Sequence, residues 1–207
     1  MKTNVYSGLF FFRGSAAKAS SKISSGDMGY FNPTSYGRNS GFSFSGELQA
    51  ERITRSNNIY GFGVAYENGK SKAAIDSLYS DRGREKAGGK VVLANTSFLV
   101  NPFIGHRFKA GKLQIDALLG FDWTVSIDVR EMAKLTSPFE QTYKIKKANH
   151  PMDLRPRVQF NVFYHRIGFL TGYSIGTENL YFYDNPFYWN KKAYAHFWRA
   201  GLGYQLK

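Results

Sequence analysis

Eight segments of alternating apolar and polar residues, joined in turn by short and long links, predict an all-β, eight-stranded antiparallel up-and-down barrel. Two other observations agree. Aromatic residues make up 17% of the chain and there are 21 glycines, a pairing that suits strands, tight turns and one crowded face. No stretch of useful length repeats at helical spacing, and no internal repeat is visible.

The segments are 3–13, 41–55, 59–69, 92–109, 112–127, 154–164, 167–178 and 193–206. In the first, Phe10, Phe11 and Phe12 break the alternation and leave its facing open. In the second, Phe42, Phe44 and Leu48 alternate with Ser43, Ser45 and Glu47. The third sets Tyr60, Phe62, Val64 and Tyr66 against Gly61, Gly63, Ala65 and Glu67. The fourth carries Phe98, Val100, Ile104 and Phe108 on one face. The fifth sets Leu113, Ile115, Leu119, Phe121, Trp123 and Val125 against Asp116, Gly120 and Asp122. The sixth carries Val158, Phe160, Val162 and Tyr164, and the seventh Ile167, Phe169, Tyr173 and Ile175 opposite Gly168, Gly172 and Ser174. The eighth sets Tyr194, Trp198, Leu202, Tyr204 and Leu206 against Arg199, Gly201 and Gly203.

Links 56–58, 110–111 and 165–166 have hairpin length, and Asn-Asn and Ala-Gly supply the positive φ of tight turns. Links 14–40, 70–91, 128–153 and 179–192 are long and rich in Ser, Gly, Lys, Asp and Asn. Strict alternation of short and long places the short turns and both termini at one end and the long loops at the other. That is the layout of a transmembrane barrel with short periplasmic turns and long extracellular loops. Residues 1–207 read as a single domain.

Side-chain size decides which face points outward. A barrel of eight strands encloses only enough space for side chains to fill. The aromatic face would overfill it, whereas the Gly, Ser and Ala face fits. The aromatic face is therefore expected against lipid, with Tyr and Trp near segment ends as interfacial girdles. A soluble sandwich or ligand-binding barrel is the competing architecture. Mean hydropathy is −0.39. The longest uncharged run, 91–106, is shorter and more polar than the ~20 apolar residues of a spanning helix. Alternation hides a membrane barrel from both measures.

Asp116 and Asp122 then point into the lumen, and Glu47, Glu67, Arg157 and Arg199 are expected there with them. Counting from the short turns places Glu47 opposite Glu67, with Asp122, Arg157 and Arg199 at similar height. Opposed like charges and buried unpaired charges are unfavourable. Arginine stays protonated and can bridge two carboxylates. A closed lumen plugged by this network is the expectation, with Glu51, Glu178, Arg107 and Arg155 nearby.

The closing segment, AYAHFWRAGLGYQLK (193–207), resembles the terminal strand of the small eight-stranded bacterial outer-membrane barrel family, which includes the OmpA barrel domain, OmpX and the PorT-like barrels. Members commonly end on Phe or Tyr, and this chain ends on Leu206-Lys207. The resemblance spans nearly the whole chain and rests on architecture. It implies integral outer-membrane localisation, a signal peptide already removed and a charged lumen. It implies no single activity: members include adhesins, spacing proteins, lipid-modifying enzymes, narrow channels and complex subunits.

A structural or complex-forming role is the leading reading, a narrow channel or hydrophobic-solute conduit the second, and a lipid A-modifying enzyme the third. His106, His150, His165 and His196 form no HExxH or HxxxH pair, and the His-x-Ser arrangement of lipid A deacylases is absent. No catalytic residue, metal site or cofactor is expected. The absence of cysteine excludes disulfides and thiolate metal sites. The net charge of +13 is spread along the chain, without a nucleic-acid-reading motif, so no nucleic-acid partner is expected. Outer-membrane lipids, lipopolysaccharide among them, and other outer-membrane proteins are the expected partners. Lys70, Lys72, Arg82, Arg84, Lys86 and Lys90 form one basic group in the long links and Lys144, Lys146 and Lys147 another. Their functional reading is contact with lipopolysaccharide phosphates, with Arg82, Arg84, Lys86, Lys144, Lys146 and Lys147 the candidate contacts. Arg52, Arg55, Lys109, Lys112 and Arg166 sit near the short turns, where they would reach inner-leaflet headgroups. Phe182, Tyr183, Phe187, Tyr188 and Trp189 form a candidate partner patch.

Overall fold

The computed structural model describes residues 1–24, 36–80, 83–138, 140–147, 151–180 and 191–206. Ten strands are formed: β1 (Lys2–Arg13), β2 (Ser20–Ser24), β3 (Asn39–Ile53), β4 (Asn58–Ser80), β5 (Gly83–Ala110), β6 (Leu113–Ser137), β7 (Gln141–Lys147), β8 (Met152–Tyr164), β9 (Ile167–Ile175) and β10 (Tyr194–Gln205). Eight of them close a ring in the order β1-β3-β4-β5-β6-β8-β9-β10, with every neighbour antiparallel. The seam between first and last strands is paired from Lys2↔Gln205 to Arg13↔Tyr194. The architecture is an eight-stranded up-and-down barrel, closed so that the ring leaves no free edge.

The short turns follow their residues. Asn57, Gly111 and His165 take φ of 62°, 61° and 54°. Hairpin turns need such angles, and Gly or Asn adopts them at little cost. The first turn is longer than 56–58: Ile53↔Ile59 is its closing pair, and Thr54 N donates to Asn58 O at 2.9 Å. The register of β3 on β4 follows, so Glu47 lies opposite Ala65 and Glu67 opposite Ser45. Both carboxylates stay on the lumen face, because a shift of two residues preserves facing. The direct opposition of Glu47 and Glu67 expected from the sequence does not occur.

Two expected loops are strands. Link 70–91 is mostly a continuation of β4 and β5, paired out to Ser80↔Gly83. Link 128–153 contains the end of β6, the whole of β7 and the start of β8. β6 leaves β8 after Val125↔Met152 and pairs with β7 from Val129↔Lys147 to Leu135↔Gln141. β2 joins β4 in parallel along Ser20–Ser24. A sheet thus stands above the ring; at ~3.3 Å per residue, the last twelve residues of β6 extend about 40 Å. The physical reason for the misreading is a change of solvent along one strand. Outward side chains of β4 run Tyr66, Asn68, Lys70, Lys72, while inward ones stay small or apolar at Ser71, Ala73 and Ile75. Period two persists, but lysine replaces the outward aromatics once the strand leaves the apolar belt.

The outer face is apolar around the ring. Phe42, Phe62, Phe98, Ile104, Leu119, Trp123, Ile167, Phe169 and Leu202 are each more than half exposed. No water-soluble barrel carries such a surface, and it is the surface of a transmembrane barrel. The lumen is not only small and polar, as the sequence suggested. Tyr6, Phe10, Phe12, Phe103, Phe163 and Phe197 also point inward and are buried. This settles the facing of β1: Phe10 and Phe12 are inside, and Phe11 stacks outside on His196. The inward rings fit because glycines lie beside them. A Cβ on Gly61 would come within 2.5 Å of Phe103, one on Gly69 within 2.8 Å of Phe10, and one on Gly8 within 2.8 Å of Phe197.

Candidate functional site

Among the described residues the lumen holds two ion-pair networks at different heights. Near the short turns, Lys2 and Arg107 meet Glu51 and Asp116. Lys2 Nζ lies 2.7 Å from Glu51 and 2.8 Å from Asp116. Arg107 donates two bonds to Asp116, at 2.6 and 2.8 Å, and one to Glu51 at 3.1 Å. Two cations face two carboxylates, so this layer is neutral. Lys2 also lies 4.6 Å over the Phe163 ring, which packs with Tyr6 and Leu170.

The second network crosses the middle and upper lumen. Arg157 forks onto Glu47 with bonds of 3.0 and 3.2 Å, and the same guanidinium reaches Asp122 at 3.1 Å. Arg199 continues from Asp122 at 2.8 Å to Glu67 at 3.5 Å. Arg155 closes the chain by joining Glu67 at 2.8 Å to Asp153 at 2.7 Å. Neutral donors add to two of the carboxylates: the Tyr6 hydroxyl donates to Glu47 at 2.6 Å and the Asn101 amide to Asp122 at 2.8 Å. Arg157 also donates to the Gln159 side-chain oxygen. Every charged member of this network is at most 3% exposed. Isolated, such charges would be prohibitive to bury; planar forks on shared carboxylates make burial tolerable.

Above lies an apolar layer of Phe10, Phe12, Tyr36, Leu93, Val129, Leu180 and Phe197. Arg199 sits 4.5 Å over the Phe197 ring and Arg155 5.7 Å over Phe10, which joins this layer to the charged one. Among the described residues this apolar layer sits directly against the charged one.

Of the six lumen residues singled out from sequence, Glu47, Glu67, Asp122, Arg157 and Arg199 come together in one network, and Asp116 belongs to the other. Glu178 is exposed beyond the end of β9, with its backbone N donating to Asp153. Lys2 and Asp153 are network members the sequence reading missed. Lys2 shares a face with Asn4 and Tyr6, a polar run at period two that β1 displays before its three phenylalanines. Asp153 fell inside a segment taken for a loop.

Outside, the basic residues divide by face. Lys144 and Lys146 project outward from β7, whereas Lys147 pairs with buried Glu131 at 3.5 Å. Arg84 and Lys86 are exposed near the tip of the β4–β5 hairpin, opposite Tyr79 and Ser77. Arg82 and the aromatic patch Phe182, Tyr183, Phe187, Tyr188 and Trp189 lie outside the described residues. Lys134 holds the exposed Glu140 carboxyl below the usual carboxylate range, through a hydrogen bond and its charge. His106 Nδ1 lies 3.0 Å from Asn58 Oδ1, and His196 Nδ1 lies 2.6 Å from the Tyr173 hydroxyl. Among the described residues no His, Asp and Glu group forms a metal-binding cluster.

No protein-family model matches the chain, and no curated protein matches it in sequence. Two solved structures are similar to it along nearly their whole length. One is Ail, the attachment invasion locus protein of Yersinia pestis, in complex with the heparin analogue sucrose octasulfate: 14% identity, 98% of this chain and 97% of that one, TM-score 0.40. The other is Neisserial surface protein A: 12% identity, 99% of this chain and 96% of that one, TM-score 0.39.

Proposed function

We propose that this chain is an integral outer-membrane barrel with a closed, charge-filled lumen, acting as a structural or interaction protein rather than as an enzyme or pore. One observation carries the reading. At mid-height the lumen is crossed by Glu47, Arg157, Asp122 and Arg199, each 3% exposed or less, while the outer wall presents aromatic and aliphatic side chains. A wall of that kind belongs in hydrocarbon, and a lumen of that kind gives ions no wet route. What remains to act is the surface: the wall, the outer rim and the sheet standing above the ring. Outer-leaflet lipids and neighbouring outer-membrane proteins are the partners such a surface meets.

Planar-bilayer recording tests the reading against the channel alternative. The refolded wild type is expected to give no discrete conductance steps, and removing both central cations with Arg157→Ala and Arg199→Ala to introduce small ones. A stable open level in the wild type would contradict a closed lumen. Mass spectra of lipid A from cells with and without the protein test the enzyme alternative, and an identical acyl pattern is expected.

A further inference from the structure

The apolar belt ends at one level on β4, β5 and β6, and a single patch of cations begins directly above it. Outward residues of β4 pass from Tyr66 through Asn68 to Lys70 and Lys72. Those of β5 pass from Phe98 through Thr96, Ala94 and Val92 to Lys90, and those of β6 from Ile127 to Arg130. Pairing aligns Lys70, Ala94, Arg130 and Lys146 in one row across four strands. The result is a trough of about 950 Å³ with Phe42 and Tyr66 at its lower lip. Five cations line it, Lys70, Lys72, Lys90, Arg130 and Lys146, against one carboxylate, Asp128. Asp128 holds Arg130 at 2.6 Å and Lys146 at 3.6 Å. The ammonium groups of Lys70, Lys72 and Lys90 have no carboxylate partner among the described residues.

Immediately below, and sharing Tyr66, runs an apolar groove of about 510 Å³ walled by Leu48, Val64, Phe98, Val100 and Trp123. Its origin is one residue. In the cross-strand row Val5–Gly46–Tyr66–Phe98–Val125, only Gly46 lacks a side chain. A Cβ built there meets nothing within 4 Å, so the notch is open. Among the described residues the other wall differs: β9 and β10 carry Tyr173, His196 and Trp198 toward their outer ends.

We infer that this surface seats one phosphorylated glycolipid of the outer leaflet, its phosphates in the trough and an acyl chain in the Gly46 groove. The inference rests on the membrane reading above and names its lipid partner. The vertical order argues for a lipid: Lys70 lies about 13 Å along the strand from Tyr66, at ~3.3 Å per residue, so the cations stand at headgroup height over the groove. Phosphate oxygens accept charge-assisted bonds from several ammonium groups at once. A soluble anion would use the trough and ignore the groove.

The test is native mass spectrometry of the refolded protein in detergent, titrated with bis-phosphorylated hexa-acyl lipid A. The wild type is expected to retain one lipid A. The double variant Lys70→Ala, Lys90→Ala, and separately Gly46→Leu, are expected to weaken retention roughly tenfold or more, as loss of two headgroup cations or of the acyl notch requires. Fully dephosphorylated lipid A is expected to bind as weakly as either variant. Equal retention by all three proteins overturns the site, as does equal competition by phosphatidylglycerol. Inorganic pyrophosphate binding as tightly as lipid A would reassign the trough to a soluble anion and overturn it too. Unboiled and boiled SDS gels run alongside separate the two readings. A mobility shift kept by every variant, with retention unchanged, removes the lipid site and leaves the barrel in the membrane. A wild type without that shift removes both.

Discussion

Arg157 and Arg199 each hold more than one carboxylate, and that sharing sets what their removal does. Arg199→Ala leaves Asp122 and Glu67 short of a counter-charge in a place water does not reach. Removing one side of a buried pair typically destabilises by about 3–5 kcal/mol. The temperature at which the unboiled gel form is lost should fall clearly for Arg199→Ala and for Arg157→Ala, and little for exposed Lys109→Ala. A second residue-scale contrast uses glycine. Gly61→Val drives a side chain into Phe103 and the Ala50 carbonyl, whereas Gly46→Val enters open space on the outer face. The first should abolish or weaken folding, and the second should leave unfolding in urea within about 0.5 kcal/mol of wild type. Much of this was legible in sequence. Carboxylates and arginines on the small-residue face of otherwise apolar strands marked themselves, because alternation fixes facing. What alternation cannot fix is register. A turn closed by Ile53↔Ile59 instead of a three-residue link moved Glu67 from Glu47 to Ser45. It also cannot show that a buried ring fits: Phe103 and Phe163 are admitted by glycines on neighbouring strands, Gly61 and Gly168, that are distant or separated by a turn in sequence.

β4, β5 and β6 show how far one strand can outlast its environment. Their lower halves alternate Phe, Tyr, Val and Trp with small residues, and these were readable as strands. Their upper halves alternate Lys with Ala, Ser, Ile and Leu, and read as loop. The backbone pairs through both, out to Ser80↔Gly83 and Gly88↔Ser137. Above the belt a buried cluster of Ile75, Leu78, Ala87, Val91, Ala133 and Leu135 lines one face of the sheet. The other face is wet and basic. This upper cluster is separate from the lumen layers, so the two should be separable by deletion. Replacing residues 74–90 by a two-residue Asn-Gly turn, closed by the native pair Ala73↔Val91, should leave the ring intact, with the unboiled gel form retained. Loss of that form would show that the upper hairpin is needed to close the barrel.

At the scale of the molecule, the chain is layered along its axis: termini and short turns, a neutral ion-pair layer, the shared Arg–carboxylate network, an aromatic cap, then a projecting sheet. Charged groups are inside and most rings outside through the middle of the ring, the reverse of a protein folded in water. That inversion was readable from residue size, because eight strands cannot enclose the aromatic face. It is also the central claim on which the proposed closed lumen, lipid seat and interaction role depend. Its most direct test is the electrophoretic mobility of the protein refolded into detergent micelles, in SDS, unheated against boiled. The account predicts a clear shift on boiling and no folded protein without detergent. A soluble, folded, monomeric protein without detergent, showing no shift, would contradict it.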